Sequence, residues 1–303
     1  MSTDLIQRIL KLKGKRNAIV LAHNYQTGDI QDMADFVGDS LDLSRKAAET
    51  DAEVIVFCGV HFMAETAAIL SPEKKVLMPE LRAGCPMADM ITAEQLRAAK
   101  KKHPKALVLC YVNTSAAVKA ESDFCCTSMN AVKIVRSQKD AKEILFVPDQ
   151  FLGYWTSRQC QDRKFILWNG YCHIHVKILP VYIEELKKKH PKAEVLVHPE
   201  CTPAVIDLAD KVLGTGGMIK YAKETKSKEF IIGTENGLIH RLKKENPEKE
   251  FYPAAEHIVC PNMKLNTLEK ILWCLEDMKN QVTVPKKIAG RARKAIERML
   301  AVV

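Results

Sequence analysis

Side chains able to act as acids, bases or ligands recur along this chain at intervals of 87 or 88 residues. His23, Tyr111 and His198 form one such set. Two further sets keep the same steps: Tyr25, Asn113 and Glu200, and then Ser40, Ser128 and Thr215. Imidazole, phenol and carboxylate groups commonly carry out general acid–base catalysis. We therefore expect proton-transfer chemistry where three copies of one unit bring these groups together.

Cysteines repeat with the same spacing, since Cys85, Cys172 and Cys260 are separated by 87 and 88 residues. Their isolation in the sequence argues against a zinc ribbon, which uses close cysteine pairs. Three converging thiolates suit an iron–sulfur cluster, and a cubane with three cysteines leaves one iron open as a Lewis acid. The alternative is that duplication left three cysteines with a purely structural role. The other seven are interpreted as packing residues: Cys58, Cys110, Cys125, Cys126, Cys160, Cys201 and Cys274.

A repeated hexapeptide indicates which elements carry these residues. The sequence KKHPKA occurs at Lys101–Ala106 and again at Lys188–Ala193. Each copy follows a helical pattern and leads into an apolar strand that ends at the polar residues. Residues i and i+2 of a strand share a face, so each strand end presents two of these side chains together. Parallel α/β sheets bind ligands at such strand ends, although polar residues also simply begin loops.

A loop, a helix, a second strand and a short segment ending in cysteine follow each of these strands. Strands that alternate with helices predict parallel βαβ units with helices on both faces of the sheet. The predicted fold class is α/β, with three homologous βαβ-type three-layer domains whose parallel sheets surround a pseudo-threefold axis. We place the repeats at residues 1–84, 85–171 and 172–260. Residues 261–303 are predicted to form C-terminal helices that pack back on the first repeat.

The hydroxyl set of Ser40, Ser128 and Thr215 allows two interpretations. Each residue precedes a helical pattern, so a role as N-cap would explain it. A helix N-terminus also attracts anions through its free N–H groups and its dipole, which predicts a phosphate or carboxylate site. Neither a P-loop nor a GxGxxG dinucleotide fingerprint is present in the sequence. His175 is not repeated and lies three residues after Cys172, so it is a further candidate beside the cysteines.

The composition excludes several classes of protein. With 47% hydrophobic and 27% charged residues, the chain is typical of a globular protein rather than a disordered or fibrous one. Its aromatic content of 6% is too low for a nucleic-acid surface built mainly on base stacking. The sequence shows no apolar run of the roughly 18–20 residues that a membrane helix needs, and no signal-peptide core. We therefore predict a cytoplasmic protein without nucleic-acid or membrane partners, and interpret its net charge of +9 as a solvated surface.

Eight segments of the chain resemble the quinolinate synthase family, the iron–sulfur enzymes of de novo NAD synthesis. They occur in the expected order: AHNYQ (Ala22–Gln26), GDSLDLS (Gly38–Ser44), AGCPMADM (Ala83–Met90), YVNT (Tyr111–Thr114), WNGYCHIH (Trp168–His175), VHPEC (Val197–Cys201), GTGGM (Gly214–Met218) and CPNMK (Cys260–Lys264). Jointly these motifs are highly specific. The resemblance implies three homologous α/β domains around a 4Fe–4S cluster held by Cys85, Cys172 and Cys260.

The resemblance also implies a reaction and the residues for it. The family condenses iminoaspartate with dihydroxyacetone phosphate to give quinolinate, losing two waters and inorganic phosphate, with the cluster as a Lewis acid. Both substrates are small anions, and an aspartate oxidase or dehydrogenase is the expected functional partner that supplies the imine. Positions linked to proton transfer match Tyr25 and Glu200, and Tyr111 and His198 are further candidate acids or bases. The binding residues of the family match His23, Ser40, Tyr111, Asn113, Ser128, His175, His198, Glu200 and Thr215.

One position departs from the pattern of the family. Some members carry a CxxC sequence at the third cluster ligand that can oxidise to a disulfide. Here Met263 stands at the second cysteine position, three residues after Cys260. Redox regulation of that type is therefore not expected, while cluster ligation is unaffected.

Three other functions are compatible with parts of this pattern. A hydro-lyase acting on another substrate would use the same open iron and the same anion site. A non-catalytic three-repeat scaffold that binds RNA or protein would hold no iron, and its binding would weaken steeply with salt. An electron-transfer protein would need a fully ligated cluster, whereas only three equivalent cysteines occur in the sequence. Iron content and a substrate assay separate these functions.

Overall fold

The computed structural model describes residues 2–302, which contain three separate four-stranded sheets. All strand pairings within these sheets are parallel. The strands of the first sheet are β1 (Ala18–His23), β2 (Phe36–Gly38), β3 (Val54–Cys58) and β4 (Lys75–Leu77); those of the second are β5 (Leu107–Tyr111), β6 (Phe124–Cys126), β7 (Glu143–Val147) and β8 (Lys164–Leu167); those of the third are β9 (Glu194–Val197), β10 (Lys211–Val212), β11 (Glu229–Gly233) and β12 (Glu250–Pro253).

The three sheets share one strand order. In each of them the second strand lies at one edge and is followed by the first, the third and the fourth strand of that unit. The central strands are apolar apart from polar residues at their ends, and β3 is completely buried. Continuous apolar runs are typical of parallel strands that are covered on both faces. The α/β fold with three homologous units is therefore confirmed.

Helices flank the sheets and connect their parallel strands, as parallel pairing requires. None of those within residues 2–302 is both long and apolar enough to cross a membrane. They are α1 (Ser2–Lys15), α2 (Gly28–Met33), α3 (Ser40–Glu49), α4 (His61–Leu70), α5 (Ala93–Lys102), α6 (Ala116–Lys119), α7 (Ala131–Ser137), α8 (Gln150–Gln159), α9 (Pro180–Lys189), α10 (Pro203–Ile206), α11 (Thr215–Glu224), α12 (Leu238–Glu245), α13 (Leu268–Asp277) and α14 (Lys286–Ala301).

The sequence predicted two strands in each unit, whereas each sheet has four. The additional strands β2, β6 and β10 are two or three residues long and lie at sheet edges. The opposite edge strands β4, β8 and β12 carry exposed residues among their apolar ones. Such short edge strands contain too few residues for an apolar pattern to be recognised.

The C-terminal helices contact both the first and the second unit. α13 packs on α1 and β3, while α14 packs on α4 of the first unit and on α6 and β6 of the second. Arg293 of α14 donates to the Leu70 carbonyl at 2.9 Å, and Arg298 donates to the Asp123 carbonyl at 2.9 Å. The tail therefore joins the first and second units. The division of the chain at residues 84, 171 and 260 stays a prediction.

Candidate functional site

The carboxyl ends of β1, β5 and β9 meet at one cavity between the three units. It encloses about 750 Å³ of empty space, its open mouth included. All the site residues predicted from the sequence line this cavity: His23, Tyr25, Ser40, Cys85, Tyr111, Asn113, Ser128, Cys172, His175, His198, Glu200, Thr215 and Cys260. The structure therefore brings together side chains that come from all three repeats.

A buried carboxylate, Glu200, lies at the centre of the polar network. Tyr111, the last residue of β5, donates from its hydroxyl to Glu200 Oε1 at 2.5 Å. Nδ1 of His175 lies 2.8 Å from Glu200 Oε2, although it is not aligned as a linear hydrogen bond. Glu200 is only 3% exposed and His175 only 1%. Side chains from the second and third units thus converge on one carboxylate.

Thr234 extends this network to the first unit. Its hydroxyl oxygen lies 2.6 Å from the Tyr25 hydroxyl and 2.9 Å from Nε2 of His175. A continuous series of polar contacts therefore runs from Tyr25 through Thr234, His175 and Glu200 to Tyr111. Sequence reasoning misses Thr234, although it directly follows β11 and the same strand-end rule would have selected it.

His23 and His198 occupy equivalent strand ends and share one geometry. Nδ1 of His23 accepts the N–H of Tyr25 at 3.2 Å, and Nδ1 of His198 accepts the N–H of Glu200 at 3.3 Å. Burial lowers the pKa of each ring to about 3, so both rings are neutral at neutral pH. A neutral imidazole whose Nδ1 accepts a hydrogen bond carries its proton on Nε2. Each of these histidines is therefore a hydrogen-bond donor through Nε2.

The ionisable groups of the network differ in charge. Burial opposes ionisation of Glu200, but the contact with His175 and the hydrogen bond from Tyr111 outweigh it and bring the Glu200 pKa below its usual range. Burial and the charge of Glu200 raise the pKa of Tyr25 and of Tyr111 well above that of a free phenol. At neutral pH the network is one carboxylate flanked by protonated phenols, which can exchange protons with a bound molecule.

The three repeated cysteines begin equivalent loops, and each is closely followed by a 3₁₀ turn: Pro86–Met90, His175–Lys177 and Met263–Leu265. The backbone N–H groups two and three residues after each cysteine act to lower the pKa of its thiol, against the larger effect of burial. These three cysteines are partly exposed and line the cavity, whereas the other seven in the described chain are buried. The three cysteines that differ from the others in exposure and position are thus the three with the repeat spacing.

Burial raises the pKa of all three of these thiols. Burial raises the pKa of Cys85 to about 12, and the nearby charges that add to this include Cys260. Burial, the charge of Glu200 and the charge of Cys85 likewise raise the pKa of Cys172. A bound cation would reverse this effect, because it stabilises thiolates. In addition, Cys172, His175 and Glu200 each offer one ligand atom, and these atoms lie within 4.8 Å of one another.

Ser40 and Thr215 are not N-caps, which corrects one of the two interpretations that the sequence offered. Ser40 is the first residue of α3, and Asp39 caps this helix by accepting two N–H groups of its first turn at 2.8 and 3.0 Å. Thr215 is the first residue of α11, which begins after Gly214 without a side-chain cap. Sequence reasoning also misses Asp39 as a cavity residue, although the capping-box spacing of Asp39 and Asp42 signals it.

Ser128 is not an N-cap either, and it lies against the third unit. α7 begins after Asn130, whose side-chain oxygen accepts a backbone N–H outside the helix. A Cβ atom added to Gly214 would lie 2.6 Å from Ser128 Oγ. A Cβ atom added to Gly216 would lie 2.7 Å from Oδ2 of Asp39. The units are therefore in close contact at these two positions, and a larger residue at either one would displace a neighbouring side chain.

The chain as a whole is similar to known proteins. Residues 7–301 match the family model described as Quinolinate synthetase A protein. A quinolinate synthase of Dehalococcoides mccartyi (strain CBDB1) is 60% identical over 100% of both chains. One from Methanosarcina barkeri is 54% identical over 99% of this chain and 98% of the relative, and one from Thermodesulfovibrio yellowstonii is 52% identical over 100% of both. The chain therefore belongs to the quinolinate synthase family of enzymes.

Proposed function

We propose that this chain condenses iminoaspartate with dihydroxyacetone phosphate to form quinolinate, with release of two waters and inorganic phosphate. The observation that carries the proposal is the meeting of a buried carboxylate, two tyrosine hydroxyls and three cysteine sulfurs in one cavity. Loss of water from a hydroxylated intermediate needs an acid and a base near the leaving oxygen. Relatives named quinolinate synthase at 52% to 60% identity further support the proposal.

Cys85, Cys172 and Cys260 would hold a 4Fe–4S cluster. An all-thiolate ligand set suits iron–sulfur ligation. The three thiols here are free, partly exposed and line one cavity, so the residues fit the group. With three protein ligands, the cluster would supply one open iron as a Lewis acid for a substrate oxygen.

The cavity offers donors for the carboxylates and the phosphate of the two substrates. His23 and His198 are neutral and donate through Nε2, and the uncapped first turn of α11 adds backbone N–H groups and the positive end of a helix dipole. Further donors come from one amide and three hydroxyl groups: Asn113, Ser40, Ser128 and Thr215. Preorganised donors of this kind stabilise negative charge that develops during a reaction.

Glu200 and Tyr25 carry the proton transfers in this proposal. Glu200 is ionised at neutral pH, so it can take a proton from carbon during isomerisation of the three-carbon chain. Tyr25 keeps its proton because its pKa is raised, so it can protonate a leaving hydroxyl. Tyr111 donates to Glu200 and His175 lies against it, and together they hold the carboxylate in place. The imine substrate would come from an aspartate oxidase or dehydrogenase.

The first experiment counts metal and sulfide in protein purified without oxygen. We expect about four iron and four sulfide per chain, together with quinolinate formation from the two substrates. Cys172→Ala should lose most of both. Cys274→Ala removes a buried thiol of α13 outside the cavity and should keep both. One zinc per chain, or no metal after anaerobic reconstitution, would overturn the proposal.

The role of Glu200 as a base has its own test. Glu200→Gln keeps the shape of the side chain and removes its ability to accept a proton. The turnover number should fall by about 10²- to 10⁴-fold, the usual contribution of a general base. Iron content measured on the same sample shows whether the cysteine site is intact. Full turnover with an intact cluster would remove Glu200 from this role.

A further inference from the structure

A series of hydrogen bonds behind the cavity wall ends on Thr215. Arg241 of α12 donates from Nη1 to Asn24 Oδ1 at 2.8 Å and to the Val37 carbonyl at 2.7 Å. Its Nε donates to Glu245 Oε1 at 2.6 Å, so the guanidinium is held from two sides. Asn24, fully buried just after β1, donates from Nδ2 to Thr215 Oγ1 at 2.9 Å. The series therefore runs from the third unit through the first unit and back to the third.

The chemistry of these groups determines the direction of every bond. A guanidinium has donors and no acceptor, so Asn24 must turn its amide oxygen toward Arg241. The amide nitrogen then faces Thr215, whose hydroxyl oxygen accepts. Among residues 2–302, no acceptor lies within hydrogen-bond reach of the Thr215 hydroxyl proton, although this side chain is 4% exposed and lines the cavity. We infer that Asn24 and Arg241 are positioning residues that commit the Thr215 hydroxyl to donate to an anionic group of the substrate.

The backbone donors next to Thr215 favour an anion in the same place, against the opposing charge of Asp39, whose Oδ2 would lie 2.7 Å from a Cβ atom added to Gly216. The first turn of α11 has no side-chain cap, so its N–H groups are not satisfied by the side chain before it. The positive end of the helix dipole adds to this preference. A hydroxyl that turned its lone pairs to the cavity would oppose an anion, whereas a donating hydroxyl strengthens the site. The inference rests on the proposed function, because it takes the substrates to be anions.

The substitution Asn24→Asp keeps the shape of the side chain and reverses the direction of its hydrogen bond with the Thr215 hydroxyl. A carboxylate has only acceptors, so one oxygen retains the bond from Arg241 and the other must accept the Thr215 proton. We expect the KM for dihydroxyacetone phosphate or for iminoaspartate to rise about tenfold or more, as for loss of a hydrogen bond to a charged group. The turnover number should change by less than about threefold. An unchanged KM for both substrates, or a fall in turnover alone, would contradict the inference.

A second series of variants separates hydroxyl orientation from the added negative charge. Thr215→Val removes the hydroxyl, and Thr215→Ser retains it. If Asn24 acts through the hydroxyl, Asn24→Asp raises the KM in the wild-type and Thr215→Ser backgrounds, and changes it by less than about twofold in the Thr215→Val background. An equal increase in all three backgrounds would assign the effect to charge and overturn the inference.

Direct binding distinguishes failure of this inference from failure of the proposed function. A wild-type protein that forms no quinolinate would defeat the proposed function. Calorimetry with inorganic phosphate and with quinolinate then tests the hydrogen-bond series by itself. Binding of one of these anions that is about tenfold weaker in Asn24→Asp, with Thr215 present, supports it. Equal affinity of wild type and variant for both anions, or no binding of either to wild type, overturns it.

Discussion

The first turns of α3 and α11 lie at equivalent positions of the first and third units, but only the first turn of α3 is capped by a side chain. Asp39 accepts two N–H groups at the start of α3. Gly214 stands at the equivalent position before α11 and offers no side chain. A side chain there would collide with Ser128 of the second unit, whose Oγ would be 2.6 Å from the added Cβ. The two helices thus begin at equivalent positions of their units. The residue before each helix differs, and at α11 this residue lies against the second unit.

This difference makes the cavity asymmetric. The donors at the start of α3 are consumed by Asp39, whereas those of α11 have no side-chain cap and lie next to the Thr215 hydroxyl. Three equivalent anion sites would be suited to three copies of one ligand. A reaction between two unlike anions needs unlike sites, and the different helix ends supply them under the proposed function. The proposed anion site at α11 is therefore the part of the cavity that substitutions should affect most.

Gly214→Asp would give α11 the kind of cap that α3 has, and we expect it to have the largest effect. The new carboxylate would occupy the N–H groups of the first turn and repel a bound anion. The value of kcat/KM for quinolinate formation should fall about 100-fold or more, since like charges in contact cost several kcal/mol. The measurement is a steady-state assay on protein with verified iron content.

Gly214→Ala is the matched control for this substitution. Its Cβ meets Ser128 Oγ at the same 2.6 Å but brings no charge. The two variants therefore share any loss due to crowding, and their difference reports repulsion of the anion. Circular dichroism confirms that both are folded. Equal activity of the two variants would show that no substrate anion binds at the start of α11.

The sequence was sufficient to predict the fold class and most of the residues that line the cavity, because both depend largely on the repeat. The 87-residue spacing carries Cys85, Cys172 and Cys260 into matching loops, and all three line the cavity. Strand ends carry Tyr111 and Glu200 in the same way, since parallel strands point their carboxyl ends in one direction. Short edge strands were missed, because two or three residues contain no readable period.

Contacts that differ between the units could not be predicted from the repeat. Whether Ser40 and Thr215 cap their helices depends on the preceding residue, which is Asp39 in one unit and Gly214 in the other. The hydrogen bond from Asn24 to Thr215 joins residues 191 positions apart in different units. A periodic pattern in the sequence cannot predict a contact between two such distant residues, so this hydrogen bond is seen only in the structure.

Asp39→Asn tests whether the stability that the Asp39 cap gives to α3 depends on pH. We expect its effect to be smaller than that of Gly214→Asp. Burial, together with the charge of Asp42, raises the pKa of Asp39 from its ordinary 3.8 to about 6. The folded state therefore binds this proton more tightly than the unfolded chain. The stability from Asp39 is fully present below pH 3.8 and is lost as the pH rises through about 6. Asparagine caps helices as well as aspartate does and cannot ionise, so the variant should escape this loss.

Urea denaturation at pH 5 and at pH 8 measures this difference. The free energy of unfolding of Asp39→Asn relative to wild type should grow by about 1 kcal/mol between these pH values. Asp39→Ala is the matched control, because it also cannot ionise but leaves α3 uncapped like α11. It should show the same change with pH and be less stable than Asp39→Asn by about 1 kcal/mol at both pH values. If wild type and Asp39→Asn lose stability in parallel from pH 5 to pH 8, the buried carboxylate of Asp39 is not what distinguishes the start of α3 from that of α11.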